Sequence, residues 1–112
     1  METNELIATT YRKLAEEVVI NDGQTVSKPL YQDSHVKVIL FGFAAGQELS
    51  EHTASVPAML HFLGGEAKLT LGDEAIDAGE GTFTHMPAHL PHSITAVTET
   101  RMLLIMLKGA KS

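Results

Sequence analysis

Short apolar segments recur along most of the chain and are separated by turn-forming residues. From residue 26 onward, Gly, Pro, Asp and Asn interrupt the apolar runs about every 8–12 positions, which is typical of a β-sandwich or barrel. Gly64-Gly65 and Gly72-Asp73 are hairpin-turn signals. The predicted strands are Ser27–Tyr31, His35–Ala44, Ala58–Leu63, Ala67–Leu71, Glu74–Asp77, Thr82–Met86, His92–Ala96 and Arg101–Lys108. The pattern therefore predicts an all-β, antiparallel jelly-roll barrel that closes on itself around a small cavity.

Residues 1–20 are the part of the chain with a helical pattern. Tyr11, Leu14 and Val18 fall roughly on one helical face together with Leu6, and the Ala, Glu, Lys and Arg residues between them favour helix. The run Thr9-Thr10-Tyr11 weakens this pattern, so the segment is predicted to be either helical or an irregular arm.

The length of 112 residues predicts one domain over residues 1–112. We expect an N-terminal arm over residues 1–25 and the barrel over residues 35–108. The longest apolar stretch, Val38–Ala45, is far shorter than the roughly 20 residues that a membrane-spanning helix needs. The first residues carry acidic side chains and lack the apolar core of a secretory signal, so we expect a cytoplasmic protein.

Composition excludes several functional classes. The net charge is −6, whereas a general nucleic-acid or anionic-membrane surface needs clustered Lys and Arg. There is no cysteine, which excludes disulfides, iron–sulfur clusters and thiol catalysis. We therefore expect no nucleic acid and no membrane among the partners, and a small-molecule ligand or substrate instead.

Histidine is the residue type that carries the functional signal. The chain has six histidines, at positions 35, 52, 61, 85, 89 and 92. Neutral imidazole is the commonest protein ligand for divalent transition metals, and a barrel can bring distant strands together. The question is which of these side chains face the interior.

Two segments resemble the paired motifs of the cupin family. Gly46-Gln-Glu-Leu-Ser-Glu-His52 has the glycine and histidine spacing of the first motif, and Gly65 keeps its closing register. Gly81, Pro87 and His92 match the glycine, proline and histidine of the second motif. The resemblance covers roughly residues 35–108 and implies a small single-domain cupin with the RmlC-like jelly-roll fold, a double-stranded β-barrel.

The resemblance also implies a metal, but this chain departs from the family's ligand set. Cupins generally use two histidines and a glutamate of the first motif with the histidine of the second. Only His52 and His92 carry over, because Ala54 and Ala58 stand where the other histidine and the glutamate are expected. Two interpretations follow: these histidines hold one divalent transition metal (Zn, Fe, Mn or Ni), or they support a metal-free pocket.

Strand alternation suggests which other residues face the pocket. If Ala58 faces the cavity, then Leu60 and Phe62 do so as well, and His61 faces away unless a bulge intervenes. The strand with Phe83 and His85 has two possible registers, and the other one points Thr84 and Met86 inward. The candidate pocket residues are Leu60, His61, Phe62, Phe83, His85 and Met86. His89 is expected at the rim and His35 in solvent.

Met102–Leu107 is an apolar run with no polar alternation. A strand that is apolar on both faces is covered on both faces. The second cover is either a partner subunit, as in a homodimer, or the chain's own N-terminal segment.

Two functional classes remain open from the sequence. The first is a non-catalytic cupin that binds a small molecule in its barrel, with or without a metal. The alternative is a metal-dependent oxidoreductase, similar to a dioxygenase, or an isomerase that acts on a small organic substrate.

Overall fold

The computed structural model describes residues 6–109, which form an all-β fold with one short 3-10 turn. Within this range the turn is η1 (Leu14–Glu17), and the strands are β1 (Thr25–Gln32), β2 (Lys37–Phe43), β3 (Glu48–His52), β4 (Ala58–Gly64), β5 (Glu66–Leu71), β6 (Glu74–Gly79), β7 (Phe83–Met86), β8 (His92–Ala96) and β9 (Thr100–Met106). Each predicted strand is present, and β3 is an additional one. Its sequence, Glu-Leu-Ser-Glu-His, has too few apolar residues to stand out as a strand. No helix in the described range is long and apolar enough to cross a membrane.

The strands form two antiparallel sheets packed face to face. The first sheet has the order β1-β2-β9-β4-β7 and the second has the order β3-β8-β5-β6. This arrangement confirms the jelly-roll fold and corrects the expectation of a closed barrel. No strand pairing joins the two sheets in residues 6–109, so the apolar core between them, rather than a continuous ladder, holds them together.

The main core lies between the sheets and follows strand alternation. On β4, Ala58, Leu60 and Phe62 are buried, whereas the intervening Met59 and His61 are only partly buried. Leu69 of β5 and Ile94 of β8 are Cα partners on adjacent strands of the second sheet, and both belong to this core. The predicted inward positions of β4 are therefore the observed ones.

The N-terminal segment is an irregular arm rather than a helix. Its first five residues lie outside the described range, and between residues 6 and 20 only η1 is helical. An apolar cluster on the outer face of the first sheet, here called the outer cluster, includes Tyr11, Leu14, Val18, Leu30 and Leu40. The apolar residues of the arm serve this tertiary contact, which does not need helical spacing.

The arm covers part of β9, the strand that is apolar on both faces. Met102, Leu104 and Met106 belong to the main core, whereas Leu103 packs in the outer cluster with Val18 and Leu40. The chain's own N-terminal segment therefore supplies cover for Leu103, which was one of the two expectations for this strand.

Candidate functional site

Two histidines from neighbouring strands of the second sheet lie side by side. His52 ends β3 and His92 begins β8, and the two residues are Cα partners in the ladder. Their ring centroids are 4.2 Å apart with an interplanar angle of 60°. His92 is buried, with 7% of its surface exposed, whereas His52 is exposed. The pair of residues predicted to lie together is thus brought together by one strand pairing.

An irregularity in β3 sets this pairing. Leu49 pairs with Ile94, and the register shifts between Leu49 and His52. Without that extra residue Glu51 would oppose His92, because antiparallel partners advance one for one. The bulge instead brings His52 opposite His92 and leaves Glu51 exposed. No residue pattern in this segment predicted the bulge.

The same hydrogen bond orients each ring. Nδ1 of His52 lies 2.8 Å from the carbonyl oxygen of Ser50, and Nδ1 of His92 lies 2.9 Å from that of Leu90. A carbonyl oxygen only accepts, so Nδ1 carries the hydrogen in both rings. In the neutral form, Nε2 of each ring then holds a free lone pair. The site therefore offers two Nε2 lone pairs, each of which can accept a hydrogen bond from a ligand or bind a metal ion.

Backbone hydrogen bonds fix the loops beside the pair. The N–H of His89 donates to the carbonyl oxygen of Ala54 at 2.7 Å, which ties the segment after β3 to the segment before β8. The N–H of Gly72 donates to the carbonyl oxygen of Pro91 at 2.8 Å. The first contact joins the two histidine-bearing segments to each other, and the second joins the segment before β8 to the turn after β5.

The two rings line a cavity of about 190 Å³ between the sheets. Ala54 and Ala58, at the two positions where the resemblance places further metal ligands, line it with methyl groups. The full lining is His52, Thr53, Ala54, Val56, Ala58, Met86, Pro87, Leu90, His92, Leu104 and Met106. It is an apolar chamber with the imidazole pair and one hydroxyl as its polar groups.

Of the six predicted pocket residues, Met86 lines this cavity. Leu60 and Phe62 face inward as expected, but they lie in the packed core and not at the cavity wall. His61 does not reach the cavity, because it alternates with these buried residues and lies on the outer face of the first sheet.

Phe83 and His85 also lie outside the cavity. The β7 pattern buries Met86 and leaves Phe83 and His85 exposed, so the register that points Thr84 and Met86 inward is the observed one. His85 pairs with Met59, and Phe83 pairs with His61, on the outer face. His89 and His35 are exposed, as expected for rim and solvent positions.

Several wall residues were not among the candidates. Leu104 and Met106 line the cavity from β9, where alternation from buried Met102 identifies the inward positions. Thr53, Val56, Pro87 and Leu90 come from loops, where no strand period applies.

A larger cavity of about 420 Å³ lies between the arm and the outer face of the first sheet. Its wall includes Ile7, Tyr11 and Val38. The wall combines aliphatic side chains with two tyrosines and one threonine, and its lining residues include no histidine and no acidic residue. The convergent imidazoles make the smaller cavity the candidate site.

Comparisons with known proteins agree with this architecture. The model of the cupin domain family matches residues 39–108. A cupin superfamily protein from Desulfitobacterium hafniense is 33% identical over 84% of this chain and 86% of its own, with a TM-score of 0.80. A conserved Streptococcus pyogenes protein of unknown function is 31% identical over 96% and 90%, with a TM-score of 0.79. An RmlC-like cupin protein from Desulfovibrio desulfuricans is 28% identical over 90% and 98%, also with a TM-score of 0.79.

None of the curated proteins matches the chain. The family match nevertheless covers more than half of the sequence, and it includes both segments that carry the histidine pair. The chain belongs to the cupin family and is one of its small conserved-barrel members.

Proposed function

We propose that the protein binds a small, largely apolar organic molecule in the cavity beside His52 and His92. One observation carries this proposal: two adjacent imidazoles, each with Nδ1 engaged by a backbone carbonyl, line a chamber whose other side chains are apolar except for the Thr53 hydroxyl. A pocket of this kind binds the ligand's body by apolar burial and fixes its orientation through a few polar groups.

The size of the chamber indicates the size of the ligand. An apolar protein cavity of about 150 Å³ accepts benzene. The cavity here measures about 190 Å³, which suits one ring with a small substituent. Because both Nε2 atoms accept in the neutral rings, the substituent that fits best is a donor such as a hydroxyl group.

The divalent metal that the family implies does not fit the described residues. Divalent catalytic centres normally have three protein ligands. Within residues 6–109 no group of three or more His, Cys, Asp or Glu side chains is placed to hold an ion. Ala54 and Ala58 add methyl groups instead of ligands. A metal-dependent oxidoreductase or isomerase lacks support on the same ground, so ligand binding is the function we favour.

Phenol and toluene form a matched pair of probes for the test, because they share one ring and differ in the hydroxyl group. Each is titrated into ¹⁵N-labelled protein while amide shifts of the cavity residues are followed. We expect phenol to bind more tightly than toluene by about 3–10-fold, the worth of one hydrogen bond. This difference should disappear in His92→Ala and persist in His61→Ala, whose ring lies on the outer face. No shift with either probe would refute the proposal, as would an equal effect of both variants.

A further inference from the structure

The cavity of about 420 Å³ between the N-terminal arm and the outer face of the first sheet plays no part in the proposed function. Six residues line it: Ile7, Thr9, Tyr11, Leu30, Tyr31 and Val38. The three from the arm stand at every second position, as in an extended chain that turns alternate side chains to one side. The other three come from β1 and β2. The arm therefore spans a space on the sheet at this point instead of packing tightly against it.

A β-bulge in β1 shapes the sheet side of this cavity. The register with β2 shifts between Pro29 and Tyr31, and Leu30 is the extra residue. In a regular strand Leu30 and Tyr31 would point to opposite faces, whereas here both line the same cavity. Leu30 is buried and Tyr31 is 42% exposed. The bulge thus places a buried aliphatic side chain and a solvent-accessible aromatic ring at one cavity.

Both tyrosine rings at the cavity are held in place through their hydroxyl groups. The Tyr11 hydroxyl donates to the Leu30 carbonyl oxygen at 2.6 Å, and the Tyr31 hydroxyl donates to Oδ2 of Asp33 at 2.8 Å. Each hydroxyl group uses its one hydrogen in this bond, and its oxygen keeps the capacity to accept. Rings that are fixed before binding lose little entropy when a planar aromatic ligand packs against them.

The charged groups beside the two rings are engaged with other partners. The Lys28 ammonium lies 6.0 Å from the centre of the Tyr11 ring and pairs with Glu17 at 2.6 Å. The Asp33 carboxylate accepts from the Tyr31 hydroxyl and from two backbone N–H groups. None of the six lining residues is charged at neutral pH. The cavity therefore favours a neutral ligand over an ion.

The size of the cavity indicates a ligand larger than one ring. Small-molecule sites in proteins usually measure about 300–1,000 Å³, and this cavity falls in that range. An apolar cavity of about 150 Å³ accepts benzene, so about 420 Å³ accommodates a two-ring system. Tightly packed protein leaves few voids larger than a water molecule. The arm does pack tightly further along, where Val18 is 7% exposed, whereas Ile7 at the cavity is 74% exposed.

We propose that the cavity under the arm is a second ligand site, which binds a neutral two-ring aromatic molecule that carries a hydrogen-bond donor such as a hydroxyl group. The ring system packs against the two tyrosine rings, and the donor binds a tyrosine oxygen. Because the arm and the sheet form the site together, the bound ligand also holds the arm on the sheet. This inference goes beyond the proposed binding between the sheets and does not depend on it.

2-Naphthol is a suitable probe, because it is neutral, has two rings and carries one hydroxyl group. It is titrated into the ¹⁵N-labelled full chain while the amide shifts of residues 7–11 are followed. We expect saturable shifts of these amides. We also expect intermolecular nuclear Overhauser effects between the naphthol ring protons and the methyl groups of Ile7 and Val38, which line the cavity.

Thr9 and Thr10 offer a matched pair of variants, because both are exposed and only Thr9 lines the cavity. Thr9→Trp fills the cavity with an indole and should weaken 2-naphthol binding about 10-fold or more, whereas Thr10→Trp should leave the affinity unchanged. Tyr31→Ala removes one ring of the wall and should weaken binding about 10-fold. Phe83→Ala, which removes an exposed ring outside the cavity, should have no effect. Circular dichroism and thermal unfolding show that each variant is folded.

Two results would overturn the inference: no saturable shift of the arm amides with 2-naphthol, or equal affinities of the parent, Thr9→Trp and Tyr31→Ala. Arm shifts that depend on protein concentration but not on 2-naphthol would show that a second copy fills the cavity, which also overturns it. The His92→Ala variant separates the two sites. It should lose the preference for phenol over toluene and still bind 2-naphthol at the arm, so a failure at one site refutes only the claim about that site.

Discussion

His89 is the one non-glycine residue with positive φ between residues 6 and 109, at 71°. Its N–H donates to the Ala54 carbonyl oxygen beside the cavity. Histidine is among the residues that tolerate this region better than most, but a side chain held there still costs about 1–3 kcal/mol. The hydrogen bond to Ala54 stabilises the conformation.

We therefore expect His89→Gly to raise the free energy of unfolding. The substitution relieves the backbone strain, but the extra conformational entropy of glycine in the unfolded chain costs about 0.5–1 kcal/mol. The net increase in the free energy of unfolding is then about 1 kcal/mol. The ring is exposed, so little packing is lost. Urea unfolding followed by circular dichroism measures the change. His35→Gly is the control, because His35 is exposed without positive φ and should only lose stability. A less stable His89→Gly variant would contradict the argument.

Asp33 organises the turn between β1 and β2. Its Oδ1 accepts from the backbone N–H of His35 at 2.7 Å and of Val36 at 2.9 Å, and its Oδ2 accepts from the Tyr31 hydroxyl at 2.8 Å. These three hydrogen bonds lower the pKa of Asp33 below its ordinary 3.8. The bond from the His35 N–H has the largest effect, followed by those from the Tyr31 hydroxyl and the Val36 N–H. A carboxylate with a depressed folded pKa stabilises the fold above its unfolded pKa, and the contribution is lost as pH falls through the folded value.

The stability difference between the parent and Asp33→Asn should therefore depend on pH. Asn keeps an acceptor for the backbone N–H groups but loses the charge. We expect the variant to be less stable at neutral pH and the difference to shrink as pH falls below about 3.8. Urea unfolding between pH 7 and pH 2.5 measures it. Tyr31→Phe, which removes one of the three hydrogen bonds, should show the same trend with a smaller amplitude. A constant difference across this range would refute the assignment.

At the scale of elements, the N-terminal arm is attached by a few specific contacts. The Tyr11 hydroxyl donates to the Leu30 carbonyl at 2.6 Å, and Val18 is 7% exposed in the outer cluster. Its neighbour Val19 is 74% exposed. Two adjacent valines with the same chemistry therefore differ almost completely in burial.

Val18→Ala should destabilise the protein by about 2 kcal/mol, since two buried methyl groups are removed. Val19→Ala should change the free energy of unfolding by less than about 0.5 kcal/mol. Thermal and urea unfolding of both variants test the packing of the arm. Equal effects would mean that the arm does not dock on the first sheet through Val18.

Gly65 connects β4 to β5 in a conformation and a space that only glycine fits. Its φ is +93°, and a Cβ there would lie 2.2 Å from the Glu99 carbonyl oxygen. Gly81 has φ +90° with nothing within 4 Å of its Cβ position. We expect Gly81→Ala to cost about 1–3 kcal/mol through backbone strain alone. Gly65→Ala should cost about 1–3 kcal/mol more, because the clash adds overpacking. Similar unfolding midpoints for both variants would refute the steric argument.

The inward positions of β4 could be predicted from the sequence because the burial of this strand follows a simple period. Ala58, Leu60 and Phe62 alternate on one strand, and their inward orientation needed no further information. Strand β3 was missed because its side chains are mostly exposed, and the register shift that places His52 opposite His92 depends on pairing with β8. Such long-range pairing leaves no local pattern. The site's loop-derived wall is unpredictable for the same reason.

At the scale of the whole molecule, the arm covers one part of the outer face of the first sheet and leaves another part open. We define the outer patch as Met59, His61, Phe83 and Ile105. Met59 pairs with Ile105, and His61 pairs with Phe83, so the four side chains share one face. Phe83 is 57% exposed. An exposed apolar patch on the face of a sheet is typical of an interaction site.

We predict that the protein forms a homodimer through the outer patch. A second copy would cover the apolar side chains of β4, β7 and β9 that the arm does not reach, and a stable interface of this type buries about 800 Å² per partner. Light scattering at micromolar concentration should give twice the 12.1 kDa mass of one chain. Phe83→Asp should reduce the mass to that of one chain, because a carboxylate in the interface would be buried without a partner. Val97→Asp is the control, since Val97 is 53% exposed beside Glu66 and Ala67 of the second sheet, away from the patch. A parent mass of 12.1 kDa would refute the dimer, and a doubled mass in Phe83→Asp would refute this face as the interface.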